Sequence, residues 1–191
     1  MSDPIHDNQD VPNDASETPA VDNARRKLAG TALGVAAVFT LSSRPVWAKG
    51  QQCTISGMMS GNLSAPKGQS CDGCTPGYWK QSQHLDSWAP TGFKTTDTFN
   101  TVFGVTQYIK SNGKPYTLLE VVQTLNGNGD PVSTNLGFHA VAALLNAAHP
   151  NVNFGYTSGE LIMLFRNNYL SNPEKLKNSL AMLNERGCPL N

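Results

Sequence analysis

The sequence predicts an all-α fold: a small helical bundle stapled by disulfides, with an irregular N-terminal arm. Three observations carry this. From residue 75 onward apolar side chains recur at helical spacing, in segments opened by capping residues and closed by breakers. No alternating apolar–polar run of useful length competes with them. All four cysteines, Cys53, Cys71, Cys74 and Cys188, follow a segment built like an export signal, so they belong where disulfides form.

Composition bounds the partners. The 191 residues carry 14 basic and 14 acidic side chains, and charged residues make up 15%. That balance argues against nucleic acid, which needs a basic face. No window reaches about eighteen uninterrupted apolar residues, so no stable transmembrane span is expected.

The chain divides at residues 48 and 74. Residues 1–48 read as a disordered acidic leader plus an export signal. Up to residue 24 the charges are all acidic, and no hydrophobic periodicity appears. Arg25, Arg26 and Lys27 then precede a short apolar core, Leu28 to Leu41, and an exit ending Val46-Trp47-Ala48. Basic residues, apolar core and small-residue exit are the parts of an export signal, with Val46 and Ala48 at the positions before cleavage. The Arg25-Arg26 pair, the polar leader and the weakly hydrophobic core point to the twin-arginine route. Export machinery is therefore the first expected partner, and the periplasm, cell surface or exterior the destination. The segment takes four basic and six acidic side chains with it, so the remainder is weakly positive.

Residues 49–74 read as an irregular arm held by cysteines, rich in Gly, Ser, Asn and Gln. Its end carries Cys71-Asp72-Gly73-Cys74. A Cys71–Cys74 bridge would close a tiny loop. A bridge from this stretch to Cys188 is worth about 4 to 5 kcal/mol in chain entropy, against about 3 for a loop the size of 53 to 71. This favours Cys74–Cys188 with Cys53–Cys71, and Cys71–Cys188 with Cys53–Cys74 is nearly as good. A redox C-x-x-C needs its first thiol lowered by a helix N-terminus and a βαβ setting. Here the helix starts after the second cysteine. A zinc site would have to recruit His84 and His139 to a cysteine pair.

Residues 75–191 form the helical domain. Thr75 caps a helix with Pro76 at its first position, running to about His84. Trp88, Pro90 and Gly92 mark a loop. Asp97 to Phe103 forms a short amphipathic turn ended by Gly104, and Tyr116 to Leu125 a helix with Leu118, Val122 and Leu125 aligned. Asn126 to Pro131 is dense with breakers; its Asn and Asp residues lack the spacing and bidentate Glu of a calcium loop. Leu136 to Ala148 is apolar nearly all round and belongs at the bundle centre, with His139 a core residue. Thr157 and Glu160 make a capping box, with Tyr156 and Leu161 placed as a staple. Asn172-Pro173 opens the last helix by cap and proline, and Gly187 stops it.

At Cys74-Thr-Pro-Gly-Tyr-Trp-Lys80 the chain resembles bacterial exported modules built around a Cys-x-Pro-Gly-Tyr-Trp-Lys motif, found in secreted and surface proteins of unassigned function. Trp88, the Phe99-x-x-x-Phe103-Gly104 turn, the helix from His139 to Asn146 and the ending Asn184-Glu-x-Gly-Cys188-Pro-Leu extend the match over nearly the whole exported part. Family members often carry Asn-His after the Lys, where this chain has Gln81-Ser82-Gln83-His84. The resemblance implies no catalytic residues, and it supports Cys74–Cys188, since both cysteines lie in matched motifs.

The expected function is a non-enzymatic exported module with a structural or interaction role at the envelope or in an extracellular matrix. No catalytic residue, cofactor or metal is assigned. Tyr78, Trp79, His84 and Trp88 are the candidate binding patch, with burial in the core the commoner use of such aromatics. One alternative is an extracytoplasmic hydrolase using His84 and His139 with a carboxylate, Asp86 or Glu160. It lacks a G-x-S-x-G or H-E-x-x-H motif. The other is the C-x-x-C redox or metal protein.

Overall fold

The computed structural model describes Cys53, Thr54, Ser56 and residues 71–191. The export signal with Arg25, Arg26 and Ala48, and nearly all of the arm, lie outside the described residues. Within the described residues 71–191, six α-helices and one 3-10 helix follow in order: α1 Pro76–Trp79, the 3-10 helix Ser82–Thr91, α2 Phe99–Phe103, α3 Leu118–Thr124, α4 Leu136–Ala148, α5 Ser158–Asn168 and α6 Pro173–Asn184. Among the described residues no strand forms. Three isolated antiparallel bridges occur: Gly73 with Gly187, Thr98 with Thr117, and Ile109 with Pro115. The fold is the all-α, disulfide-stapled one the sequence predicts.

Helix α4 is the axis, packed against α1, the 3-10 helix, α3, α5 and α6. Leu136, Val141, Leu144 and Leu145 are all fully buried. Each such side chain contributes about 1.5–3 kcal/mol on leaving water. Phe99, Phe103, Tyr108 and Phe165 form an aromatic layer with ring centroids 3.9–5.5 Å apart.

The first helix is shorter than the sequence suggests. Thr75 caps it, its Oγ1 accepting the Tyr78 amide at 3.3 Å. It then ends at Trp79, and Gln81 turns extended (φ −78°, ψ 138°). The carbonyl of Trp79 accepts instead from the indole Nε1 of Trp88 at 3.1 Å. An uninterrupted helix would give that carbonyl to an amide four residues on. The expected loop around Trp88 is consequently the second half of a 3-10 helix, closed by Gly92 at φ 78°.

Helix α3 starts with a capping box, spelled in the sequence by the pattern Thr117-x-x-Glu120. Thr117 Oγ1 accepts the Glu120 amide at 3.2 Å, and Glu120 Oε2 accepts the Thr117 amide at 2.8 Å. Lys110 Nζ lies 2.7 Å from Glu120 Oε1. With these bonds it holds the carboxyl below its ordinary range. The box at Thr157 and Glu160 opens α5 as expected.

One cap differs from expectation. Asn172 makes no side-chain capping bond to α6, although Pro173 does take its first position, and α6 ends at Asn184 rather than running on to Gly187. At α4, Asn135 adopts φ 65° and does not cap. Asp130 does that work from the preceding loop. Its Oδ2 accepts the Gly137 amide at 2.6 Å, and its Oδ1 accepts the amides of Val132 and Ser133 at 3.0 and 3.2 Å. The buried Tyr108 hydroxyl donates to the same carboxylate at 3.2 Å. Burial and Asp130 together push the Tyr108 hydroxyl far above its ordinary pKa. A carboxylate at a helix N-terminus meets both free amides and the positive end of the dipole. The loop that resembles a cation site in composition is thus organised by its own backbone amides.

Candidate functional site

The stretch from Cys71 to Trp88 is where the termini of the described domain meet. Cys53 bonds Cys71 and Cys74 bonds Cys188, with Cα–Cα separations of 5.2 and 4.3 Å, and none of the four cysteines is free. The main chain is matched to this crosslinking. Gly73 donates its amide to the Gly187 carbonyl at 2.9 Å. Asp72 donates its amide to the Asn153 carbonyl at 3.0 Å, and its carboxylate accepts the Asn153 amide at 3.2 Å. Glycine is required at 73, where a Cβ would collide with the Leu183 carbonyl.

Beneath the clasp lies a buried polar node. Asn146, fully buried on α4, makes four hydrogen bonds. Its Oδ1 accepts the Cys74 amide at 2.9 Å and the Trp79 indole at 3.1 Å. Its Nδ2 donates to the Cys74 carbonyl at 2.8 Å and to Asn184 Oδ1 at 2.9 Å. Asn184, also fully buried, donates in turn to the His139 carbonyl at 3.0 Å. One amide side chain thereby satisfies both main-chain groups of Cys74 and ties the disulfide, α1, α4 and α6 together. In a low-dielectric interior such a saturated network is specific, because every alternative leaves a polar group unpaired.

The candidate aromatics belong to this core. Trp79 is 0% exposed, Trp88 2% and Tyr78 6%. Trp79 and Trp88 meet edge to face at 6.4 Å, as do Tyr78 and Trp79 at 5.2 Å. The Tyr78 hydroxyl reaches Ser87 Oγ at 2.8 Å and donates to the Leu190 carbonyl at 3.3 Å. An exposed recognition patch is not what these three side chains form. His84 alone is partly exposed, stacked on Tyr78 at 4.0 Å. The reason is volume: the indoles fill the space between α1, the 3-10 helix and α4.

Of the acid–base groups, Glu160 is engaged elsewhere and His139 is enclosed in the fold. His139 sits in the first turn of α4, its enclosed Nδ1 without a hydrogen-bond partner. Burial, helped by Lys177, holds it down at about 4. Glu160 closes the capping box of α5. His149, at the C-terminal cap of α4, accepts the Asn151 amide on Nδ1 at 3.2 Å and is likewise lowered by burial. The cysteines of the C-x-x-C each bond outside the motif, so it holds no dithiol and no thiolate for a metal. Among the described residues no cluster of three or more His, Cys, Asp or Glu is placed to hold a metal ion.

The residues sequence reasoning passed over are Asn146, Asn184 and Asp130. The signal for Asn146 was available: a lone amide inside the largely apolar run Leu136 to Ala148, on the same helical face as His139. Comparison with family models, curated proteins and solved structures gives no match.

Proposed function

We propose that this chain is an exported, non-enzymatic module that serves a structural or interaction role at the cell envelope or in an extracellular matrix. The observation that carries the reading is the pairing of all four cysteines in two disulfides, one of them joining residues 114 apart. Crosslinks of this kind persist in oxidising compartments and are rare in the cytosol. Two further features support it. The N-terminal sequence has the three parts of an export signal, with Arg25 and Arg26 suited to the twin-arginine machinery. Among the described residues no helix is long and apolar enough to cross a membrane. The resemblance to exported modules around the Gly77-Tyr78-Trp79-Lys80 motif agrees.

The non-enzymatic half rests on the engagement of the polar groups. Asn146, Asn184, Asp130 and Glu160 are spent on capping and on the clasp. A rigid, crosslinked body suits a module whose surface, not a reacting group, is what it offers. Its expected partners are the export machinery and then envelope or matrix components.

The test has two parts. Residues 1–50 are fused to a reporter and its compartment is followed; export is expected, and cytosolic retention refutes the reading. Replacing Arg25 and Arg26 by lysine should block export through the twin-arginine route; unchanged export assigns the general route instead. Thiol titration of the protein recovered from outside the cytosol should find no free thiol.

A further inference from the structure

We infer that Asn128 is a modification site: it deamidates spontaneously through the backbone amide of Gly129, selected from three Asn-Gly pairs by the hydrogen bonding of the folded domain. The pairs are Asn112-Gly113, Asn126-Gly127 and Asn128-Gly129, all three asparagines exposed. The reaction needs a free amide nitrogen after the asparagine and an unhindered approach, which glycine provides because it lacks a Cβ.

Two of the three amides are committed. Gly113 donates its amide to the Lys110 carbonyl at 2.9 Å, and Asn112 Oδ1 accepts the Lys114 amide at 3.1 Å, so both reacting groups are held in one turn. Gly127 donates its amide to Asn135 Oδ1. At the third pair neither the Gly129 amide nor the Asn128 side chain makes a hydrogen bond among the described residues, and both residues are exposed. Beyond its two chain neighbours, nothing comes nearer than 3.6 Å to a Cβ built on Gly129, so no other residue crowds the approach.

The chemistry is intramolecular and uses only water. The Gly129 nitrogen gives its proton to solvent base and attacks Asn128 Cγ. The N–Cγ bond forms, the Cγ–Nδ2 bond breaks, and ammonia leaves. Water then opens the resulting succinimide at either carbonyl, giving aspartate or isoaspartate. The net change is amide plus water to carboxylic acid plus ammonia.

The position gives the modification a structural consequence. The new carboxylate arises two residues before Asp130, whose own carboxylate holds the amides of Val132, Ser133 and Gly137 and the Tyr108 hydroxyl. Isoaspartate also lengthens the main chain by one methylene immediately ahead of that anchor. Both changes act on the loop that caps α4.

The experiment is ageing of the full, disulfide-intact chain at mildly alkaline pH, followed by peptide mass mapping and isoaspartate-specific labelling. Residue 128 should be modified faster than residues 112 and 126 by about fivefold, the rate equivalent of one hydrogen bond of about 1 kcal/mol. In urea the three rates should converge, because the folded hydrogen bonds are gone. Asn128→Gln should remove the fast phase while leaving the far-UV circular dichroism unchanged. Equal or faster modification at 112 or 126 in the folded protein overturns the inference. So does an intact Asn128 under conditions where the unfolded chain reacts.

Discussion

Replacing Asn146 by alanine removes one side chain and leaves four buried groups without their partner: the amide and carbonyl of Cys74, the Trp79 indole N–H and Asn184 Oδ1. Each buried orphan costs about 1–3 kcal/mol, so simple addition would exceed the whole stability of an ordinary domain. Addition overstates the case. Water can enter the space the amide leaves, and members of one network share their energy. We therefore expect Asn146→Ala to cost about 4–6 kcal/mol and to lower Tm by roughly 10–20 °C. Asn146→Asp keeps the acceptors but sets a carboxylate against the Cys74 carbonyl and Asn184 Oδ1, and should do no better. The assay is urea unfolding followed by tryptophan fluorescence, since Trp79 and Trp88 both lie in the node. Asn184→Ala and the double variant complete a cycle, in which a coupling of about 1–3 kcal/mol is expected. A loss below about 1 kcal/mol for Asn146→Ala, or additive single changes, would refute the view that this amide holds the clasp to the bundle.

Three further outcomes follow from the same geometry. Cys188→Ser opens the disulfide joining residues 114 apart and should cost about 4–5 kcal/mol, more than the roughly 3 lost on opening Cys53–Cys71 by Cys53→Ser; chemical denaturation of the two variants side by side checks the order. His139, held at about 4 in the fold against an ordinary 6.5, takes up its proton more readily in the unfolded chain, so its stability contribution is complete above pH 6.5, declines as pH falls toward 4 and is flat below. The full gap corresponds to about 3 kcal/mol, which solvent contact at this half-buried ring reduces to about 1–2. His139→Gln should flatten the pH dependence over that interval, and an unchanged slope would contradict the assignment; His149 titrates in the same direction. Asp130→Ala uncaps α4 and strands the Tyr108 hydroxyl, with an expected loss of about 2–4 kcal/mol by thermal denaturation.

The short-range features were legible from residues alone. Leu136 to Ala148 declares itself as the central helix because apolar side chains cover nearly its whole circumference, and its observed limits agree. The box at Thr157 and Glu160, Pro173 at the start of α6 and Gly104 at the end of α2 are likewise local. Each is decided by groups a few residues apart, which is the range over which sequence spacing determines geometry. Thr117 and Glu120, also three residues apart, form a box of the same local kind.

What the tertiary structure decided are the contacts between residues far apart in sequence. Loop entropy favoured Cys74–Cys188 only slightly over its rival. The pairing is settled by the meeting of Gly73 with Gly187, which brings Cys74 and Cys188 within reach. The early end of α1 follows from a tryptophan indole taking the Trp79 carbonyl, a competition no local propensity describes. Asn146 looked like an incidental amide on an apolar helix until Cys74, Trp79 and Asn184 were set around it. Its neighbours in space stand 72, 67 and 38 residues away. The sequence by itself determined an all-α chain with crosslinkable ends. Which side chains lie under the clasp, and that its aromatics are core, depended on packing, because burial belongs to the assembled helices and to no single segment.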